Sequence, residues 1–528
     1  MRTIAILSVF TILVSAQAAT LTASLHSPAY DIDAQYGNSL AMLPDVTGDG
    51  IAELVVAAHR ETAGGYNWAG NVYVYRGGDF QILYTLTAPV PEGTAMFGFA
   101  VAAIPDVTGD SLSDILVSSP FENTNGVTDA GKVYLFSGAN GQLVRSYQPP
   151  QLVSRGYFGH SLASAGDVDN DGHVEILIGC VGQGKVFVYD GVNGNWKREY
   201  DPPILDGCIS FGYVVAGLGD ISGDGRPDYM AGAFCQGRAF TFIGATGALR
   251  DTLGESSLTD QGFGYSLAGL PDIDNDGRAD IMVGSPYSNY DSVTYNTGLV
   301  KLISGANRTV LRTLYAPNPI SDSWFGLSLA SVGDVNGDGT TDVFIGMPND
   351  GYGSDSLSGR GYLYNAVTGM LIDSIASPNV QAASNFSWVV TGGLDITGDG
   401  RPDFVAAAPY EDYLNTENAG GVYVYSFPAS AAQQSETAIP TTTIITNAYP
   451  NPFNATTTIA YRVPASGNVA ITVTDISGRV VADAVNRHAV SGTTYRWQFD
   501  AQELASGIYF YRITSGSNHT QQKLVLVK

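Results

Sequence analysis

DVTGDGIAE (45–53), DVTGDSLSD (106–114), DVDNDGHVE (167–175), DISGDGRPD (220–228), DIDNDGRAD (272–280), DVNGDGTTD (334–342) and DITGDGRPD (395–403) recur along the chain in one register. Their starts lie 61, 61, 53, 52, 62 and 61 residues apart. Self-similarity at such a period predicts an array of similar units that bury their apolar faces against one another.

Positions 1, 5 and 9 of every stretch are carboxylates: Asp45, Asp49 and Glu53; Asp106, Asp110 and Asp114; Asp167, Asp171 and Glu175; Asp220, Asp224 and Asp228; Asp272, Asp276 and Asp280; Asp334, Asp338 and Asp342; Asp395, Asp399 and Asp403. Position 3 is always an oxygen donor: Thr47, Thr108, Asp169, Ser222, Asp274, Asn336 and Thr397. Hard oxygen ligands in this number predict Ca2+ in each loop. The backbone carbonyl of position 7 (Ile51, Leu112, His173, Arg226, Arg278, Thr340, Arg401) and water complete the shell. Without a cation the cluster repels itself, since two carboxylates about 5 Å apart cost roughly 3 kcal/mol at an effective dielectric near 20. An EF-hand closes with Glu at position 12, where this chain has Val56, Val117, Ile178, Ala231, Val283, Ile345 and Ala406. Position 9 therefore closes the loop, and position 12 falls in a buried strand. Asp and Gly also favour ordinary turns, but turn preference gives no reason for a third carboxylate seven times. Ser111 replaces the Gly that eases the bend, which makes loop 2 the weakest site. The loops hold 23 of the 50 acidic residues, and seven Ca2+ ions would take the formal charge from −25 to −11.

An aromatic-Gly pair precedes each loop: Tyr36-Gly37, Phe97-Gly98, Phe158-Gly159, Phe211-Gly212, Phe263-Gly264, Phe325-Gly326 and the variant Phe386-Ser387. After the loop come an apolar run such as Ile115-Leu116-Val117, an alternating segment such as Val72-Tyr73-Val74-Tyr75, a Gly/Asn turn and a further strand. Four strands per unit make a propeller blade. The Phe-Gly pair, the Asp-rich loop and the Gly-x-Pro ending (Gly284-Ser285-Pro286, Gly346-Met347-Pro348) resemble the FG-GAP repeats of integrin α subunits and their bacterial relatives, over roughly residues 21–427. That resemblance implies an all-β chain with a seven-bladed β-propeller, its calcium loops on one rim. An open array of β units is the alternative, disfavoured by its unclosed edges. The last repeat supplies three strands up to Tyr425, so residues 21–25 are expected to pair as its fourth, on the outer edge.

Arg2, the apolar run from Ile4 to Val14 and Ala16-Gln17-Ala18 have the order of a secretory signal peptide over residues 1–18. The run is shorter than the about 20 residues that span a bilayer, so a transmembrane protein is not expected. A net charge of −25 argues against nucleic acid and anionic membranes as partners, because both reward basic surfaces. The propeller is assigned to residues 19–427, a polar linker to 428–445 and a compact β module to 446–528. The module contains YPNPFN (449–454), DISGRVV (475–481), GIYFYRI (507–513) and KLVLVK (523–528). That order resembles the C-terminal sorting domain of the type IX secretion system, a small immunoglobulin-like β-sandwich. The resemblance implies the type IX machinery as a partner and a destination outside the cell or on the outer surface of a Gram-negative bacterium.

No HExxH, GxSxG or P-loop occurs, and the histidines His26, His59, His160, His173, His488 and His519 are scattered. The chain therefore reads as a non-enzymatic binding or adhesion protein for protein or glycan ligands. The alternative is a polysaccharide-acting enzyme or subunit, its active site on the propeller face opposite the calcium loops. Alternating strand direction places the connections after strands 2 and 4 of each unit on that opposite rim. Tyr66, Trp68 and segments 121–128, 287–295, 352–358 and 410–418 lie there, so the ligand is expected there. Cys180, Cys208 and Cys235 fall on the same rim, and an odd count allows at most one bridge within the chain.

Overall fold

A computed structural model of the chain describes residues 18–204, 210–254, 262–291, 293–351, 357–427, 445–449, 453–462, 467–489, 494–502, 504–516 and 518–528. The signal segment before Ala18, nearly all of the expected linker, Cys208 and residues 352–356 lie outside them. The chain divides into two compact units, Met1–Ser430 and Ala431–Lys528. Apart from one 3-10 turn, Phe234–Gln236, the described regular structure is β throughout.

The first unit contains, among the described residues, seven four-stranded antiparallel sheets. Six use consecutive strands, as in Ser39–Leu43, Glu53–Ala58, Asn71–Tyr75 and Ile82–Thr87. Burial explains their sequence patterns. The second and third strands are covered on both faces and read as near-continuous apolar runs, whereas the fourth is largely exposed and mixes polar with apolar residues. The seventh sheet combines Val389–Gly392, Phe404–Ala408 and Gly421–Ser426 with the N-terminal strand Thr20–His26 on its outer edge. The expected mixing of the two ends is thus observed, with Leu25 opposite Val422.

The first strands of successive sheets lie side by side, and Val389–Gly392 returns to Ser39–Leu43, so the neighbour relation closes on itself. One apolar cluster joins the first and last sheets through Tyr36, Leu40, Val56, Val405, Ala407 and Val422. Across the same seam Ala52 N–H donates to the Asp395 carbonyl at 2.9 Å and Gly78 N–H to that of Ile396 at 2.9 Å. Repeated four-stranded sheets in this order are consistent with a β-propeller.

The second unit has a three-stranded sheet of Ile445–Tyr449, Thr456–Arg462 and Thr494–Asp500. Its four-stranded sheet comprises Val480–Ala489, Gly467–Asp475, Gly507–Ser515 and Asn518–Leu526. Ile459, Val473, Phe499, Tyr511 and Leu524 are buried in its core.

Cys235 is disulfide-bonded. Cys180 is a free thiol, fully buried, donating to the Gly156 carbonyl at 3.1 Å, and its burial pushes its pKa up to about 12.

Candidate functional site

Each Asp-rich loop follows the first strand of its sheet and is shaped by two left-handed residues. Position 4 is Gly, or Asn170 (φ +60°) and Asn275 (φ +61°), and position 6 is Gly except for Ser111 (φ +69°). Left-handed backbone at two nearby positions curls the amide groups inward, and the position 1 carboxylate accepts them. Asp45 takes Thr47 N–H at 3.0 Å, Gly48 N–H at 2.7 Å and Gly50 N–H at 2.7 Å. In all seven loops the position 5 Asp accepts position 7 N–H, as Ile51 to Asp49 at 2.9 Å. In all seven the position 9 carboxylate accepts position 2 N–H, as Val46 to Glu53 at 2.9 Å.

The position 9 groups Glu53, Asp114, Glu175, Asp228, Asp280, Asp342 and Asp403 are completely buried. Burial raises their pKa values, to about 7 for Glu53, Asp342 and Asp403, where neighbouring loop aspartates add to it. At Asp45, Asp106 and Asp220 burial also acts to raise the pKa, but the loop amides outweigh it and hold these groups below the usual range. Loops 1, 2 and 4 thus set an outer carboxylate that favours its anion over an inner one that is costly to ionise alone.

A divalent cation fits this donor set. Glu53 Oε1, Asp169 Oδ1 and Asp342 Oδ1 are buried without a hydrogen-bond partner, which is the state of an oxygen waiting for a ligand. In loops 1, 3 and 5, trios of groups bring an oxygen within 4.8 Å of one another: Asp45, Asp49 and Glu53; Asp167, Asp169 and Glu175; Asp272, Asp274 and Asp276. Loops 2, 4, 6 and 7 form no such trio among the described residues. In loops 2, 4 and 5 the second position 9 oxygen takes a glycine amide from the turn after the third strand: Gly138 at 3.1 Å, Gly244 at 2.8 Å and Gly305 at 3.0 Å.

The position 3 hydroxyls sit beside the same carboxylates, Thr397 Oγ1 3.3 Å from Asp403 and Ser222 Oγ 3.4 Å from Asp228. Side chains at position 7 do more than face water. Arg278 reaches Asp220 of the preceding loop at 3.3 Å, and His173 pairs through Nδ1 with Asp190 at 3.0 Å.

At the opposite end of the first strands lies a cavity of about 480 Å³. The residue directly after each aromatic-Gly pair lines it: Asn38, Phe99, His160, Tyr213, Tyr265, Leu327 and Trp388, with His59, Arg60 and Tyr410. Sequence reasoning missed this ring, although its signal was the fixed place behind each pair. Ring centroids run Phe99 to His160 at 5.1 Å, His160 to Tyr213 at 4.7 Å and Tyr213 to Tyr265 at 5.1 Å. Tyr213 donates to the Tyr265 hydroxyl at 2.9 Å, and His160 Nδ1 lies 3.1 Å from the Tyr213 carbonyl.

The aromatic connections expected to meet a ligand divide into two groups. Tyr66, Trp68, Tyr290 and Tyr295 are exposed. Phe121 and Tyr287 instead pack on Phe99 and Tyr265 behind the ring, and Tyr413 stacks on His26 with centroids 3.5 Å apart. Tyr413 is therefore structural, because the N-terminal strand carries His26 onto the last sheet.

Comparison with known proteins agrees with this architecture. The FG-GAP repeat matches residues 36–75, 97–136, 263–303 and 386–425, and the FG-GAP-like repeat matches 167–231. The secretion system C-terminal sorting domain matches 447–528. Integrin alpha-8 of Gallus gallus is 31% identical over 41% of this chain and 21% of its own length. Integrin alpha-3 of Cricetulus griseus is 29% identical over 42% and 22%, and integrin alpha-V of Gallus gallus 29% over 39% and 21%. The chain spans about a fifth of the length of these curated relatives. The chain carries integrin α-like FG-GAP repeats and ends in a type IX sorting domain, which directs it to the cell surface or beyond. Among the described residues no helix is long and apolar enough to cross a membrane.

Proposed function

We propose that this protein is an exported calcium-binding recognition or adhesion protein. Its first unit, residues 19–427, is a closed seven-bladed β-propeller, and residues 446–528 form an immunoglobulin-like sandwich that engages the type IX machinery. Calcium in the Asp-rich loops stiffens one rim. A protein or glycan ligand is bound at the other.

The observation that carries this reading is the cavity to which every repeat contributes the residue after its aromatic-Gly pair. A rigid ring of aromatic faces with a few polar groups suits sugars and protein side chains alike. The lining described contains no Asp or Glu, so the paired carboxylates of glycoside hydrolysis have no support there.

The test is a glycan and protein array probed with the full exported chain, with and without Ca2+. Tyr213→Ala and Trp388→Ala are expected to weaken binding at least tenfold while binding calcium normally. Asp49→Ala is expected to lower stability first. Binding that survives both ring variants and maps to the loops or to the C-terminal unit rejects this site.

A further inference from the structure

Loop 3 contains a cation of the chain's own. The Lys197 ammonium lies 2.6 Å from Glu175 Oε1, 2.9 Å from Asp171 Oδ2 and 3.0 Å from Asp169 Oδ2, with Asp190 Oδ2 at 3.9 Å. Its three donors are thus used on positions 9, 5 and 3, the groups whose oxygens would hold a metal. Calcium oxygens sit at about 2.3–2.6 Å, so ammonium and Ca2+ cannot occupy this space together.

A bulge places Lys197 there. In the fourth strand Trp196–Tyr200, Tyr189 pairs with Trp196 and Val188 with Arg198, which leaves Lys197 unpaired and turned toward the loop. The same bulge recurs in the other consecutive sheets, where the extra residue is Leu83, Val144, Arg250, Leu311 or Ile372. Four of these are apolar. Arg250 pairs with Asp251 and donates to the Gly305 carbonyl at 2.7 Å. Repeat 3 also carries an additional acid, Asp190, where the corresponding residues are Arg76, Ser137, Ile243, Ser304, Asn365 and Ser426. Asp190 is buried, with Asn193 Nδ2 at 2.6 Å and His173 Nδ1 at 3.0 Å as its near partners and the Lys197 ammonium at 3.9 Å adding positive charge.

We propose that Lys197 neutralises loop 3 in place of a calcium ion, so that this repeat closes its loop without metal. The proposal rests on the calcium reading of the other loops.

Calcium stoichiometry of the full chain, measured with Ca2+ alone by equilibrium dialysis and metal analysis, tests it. Lys197→Met is expected to bind one ion more than the unaltered protein. Asp171→Asn is expected to leave the count unchanged, whereas Asp49→Asn in loop 1 lowers it by one. Hydrogen exchange in chelator gives a metal-free readout. The amides of Asp171, Gly172 and His173, which donate to Asp167 and Asp171, stay protected in the unaltered chain and lose protection at least tenfold in Lys197→Met. A wild-type ion count in Lys197→Met, or one ion lost in Asp171→Asn, overturns the proposal. The second comparison decides the matter if Lys197→Met does not fold. Should Asp49→Asn also leave the count unchanged, the calcium reading has failed, and exchange alone decides: unchanged protection in Lys197→Met overturns the role of Lys197.

Discussion

Ser111 adopts φ +69° where the other six loops use glycine at φ +84° to +88°. An L-residue in this region costs about 1–2 kcal/mol, partly offset by the smaller entropy it loses on folding. Ser111→Gly is therefore expected to stabilise the protein by about 0.5–1 kcal/mol, read from urea unfolding with and without chelator, and a loss of stability would contradict this. Ser387 is the corresponding exception among the aromatic-Gly pairs, at φ +65°. A Cβ on Gly98, Gly159 or Gly326 would meet the Cγ2 of Val72, Val133 or Val300 at 2.8–2.9 Å. Before Ser387 that valine is replaced by Gly361, and Ser387 Oγ donates to the adjacent Arg360 carbonyl at 2.6 Å. The two departures from the pattern compensate each other in space. His59 carries a different strain. Burial, with the charge of Arg60, lowers its pKa to about 3, and the ring is 3% exposed. The folded state holds it neutral while the unfolded chain protonates below pH 6.5, so stability falls as pH drops from 6.5 toward 3. His59→Leu should shrink the loss between pH 7 and pH 5 by about 2 kcal/mol. An unchanged pH dependence of urea unfolding would exclude His59 as a contributor.

At the scale of the strand, four repeats bury an acid beneath a tyrosine of the third strand. Tyr73 donates to Glu61 at 2.6 Å, Tyr134 to Glu122 at 2.7 Å, Tyr362 to Asp350 at 3.2 Å and Tyr423 to Glu411 at 2.7 Å. In each case the acid's own carbonyl accepts the glycine amide that opens the third strand, as Gly131 to Glu122 at 3.1 Å. Repeats 3 and 4 have Phe187 and Phe240 at the tyrosine position. A hydroxyl is kept where there is a carboxylate to receive it. Tyr134→Phe is expected to cost about 1–3 kcal/mol, because it deprives a buried carboxylate of a donor. Lys132, 3.5 Å from Glu122, keeps the loss at the lower end. Urea unfolding measures it, and a cost below about 0.5 kcal/mol would mean the bond is incidental.

For the whole molecule the proposed calcium sites carry a stability prediction. If each loop that takes Ca2+ has a Kd near 10⁻⁴ M, about 2 mM Ca2+ contributes roughly 1.8 kcal/mol per site. Chelation is therefore expected to lower Tm sharply, by a margin that grows with the number of loaded loops. An unchanged melting curve after metal analysis has confirmed removal would sink the calcium reading. Closure works in the same direction, since Thr20–His26 covers the last sheet edge and removes a template for association.

The sequence by itself determined the repeat, the four-strand grammar, the loop carboxylates, the terminal module and the N-terminal strand's place on the last sheet. Each of these is written in local spacing, in residue types that a turn or a pleated strand demands, or in the count of strands available. Only the tertiary structure decided what meets across the repeats. The ring of Asn38, Phe99, His160, Tyr213, Tyr265, Leu327 and Trp388 mixes apolar, aromatic and polar types, so no composition rule selects it. Lys197 reads as one more charged residue in an exposed strand until a bulge turns it into loop 3. Tyr413 looks like a recognition residue until closure of the first unit brings His26 against it from 387 positions away in the chain. Local chemistry sets the strands and turns, but contacts between residues far apart in sequence exist only once the sheets have packed.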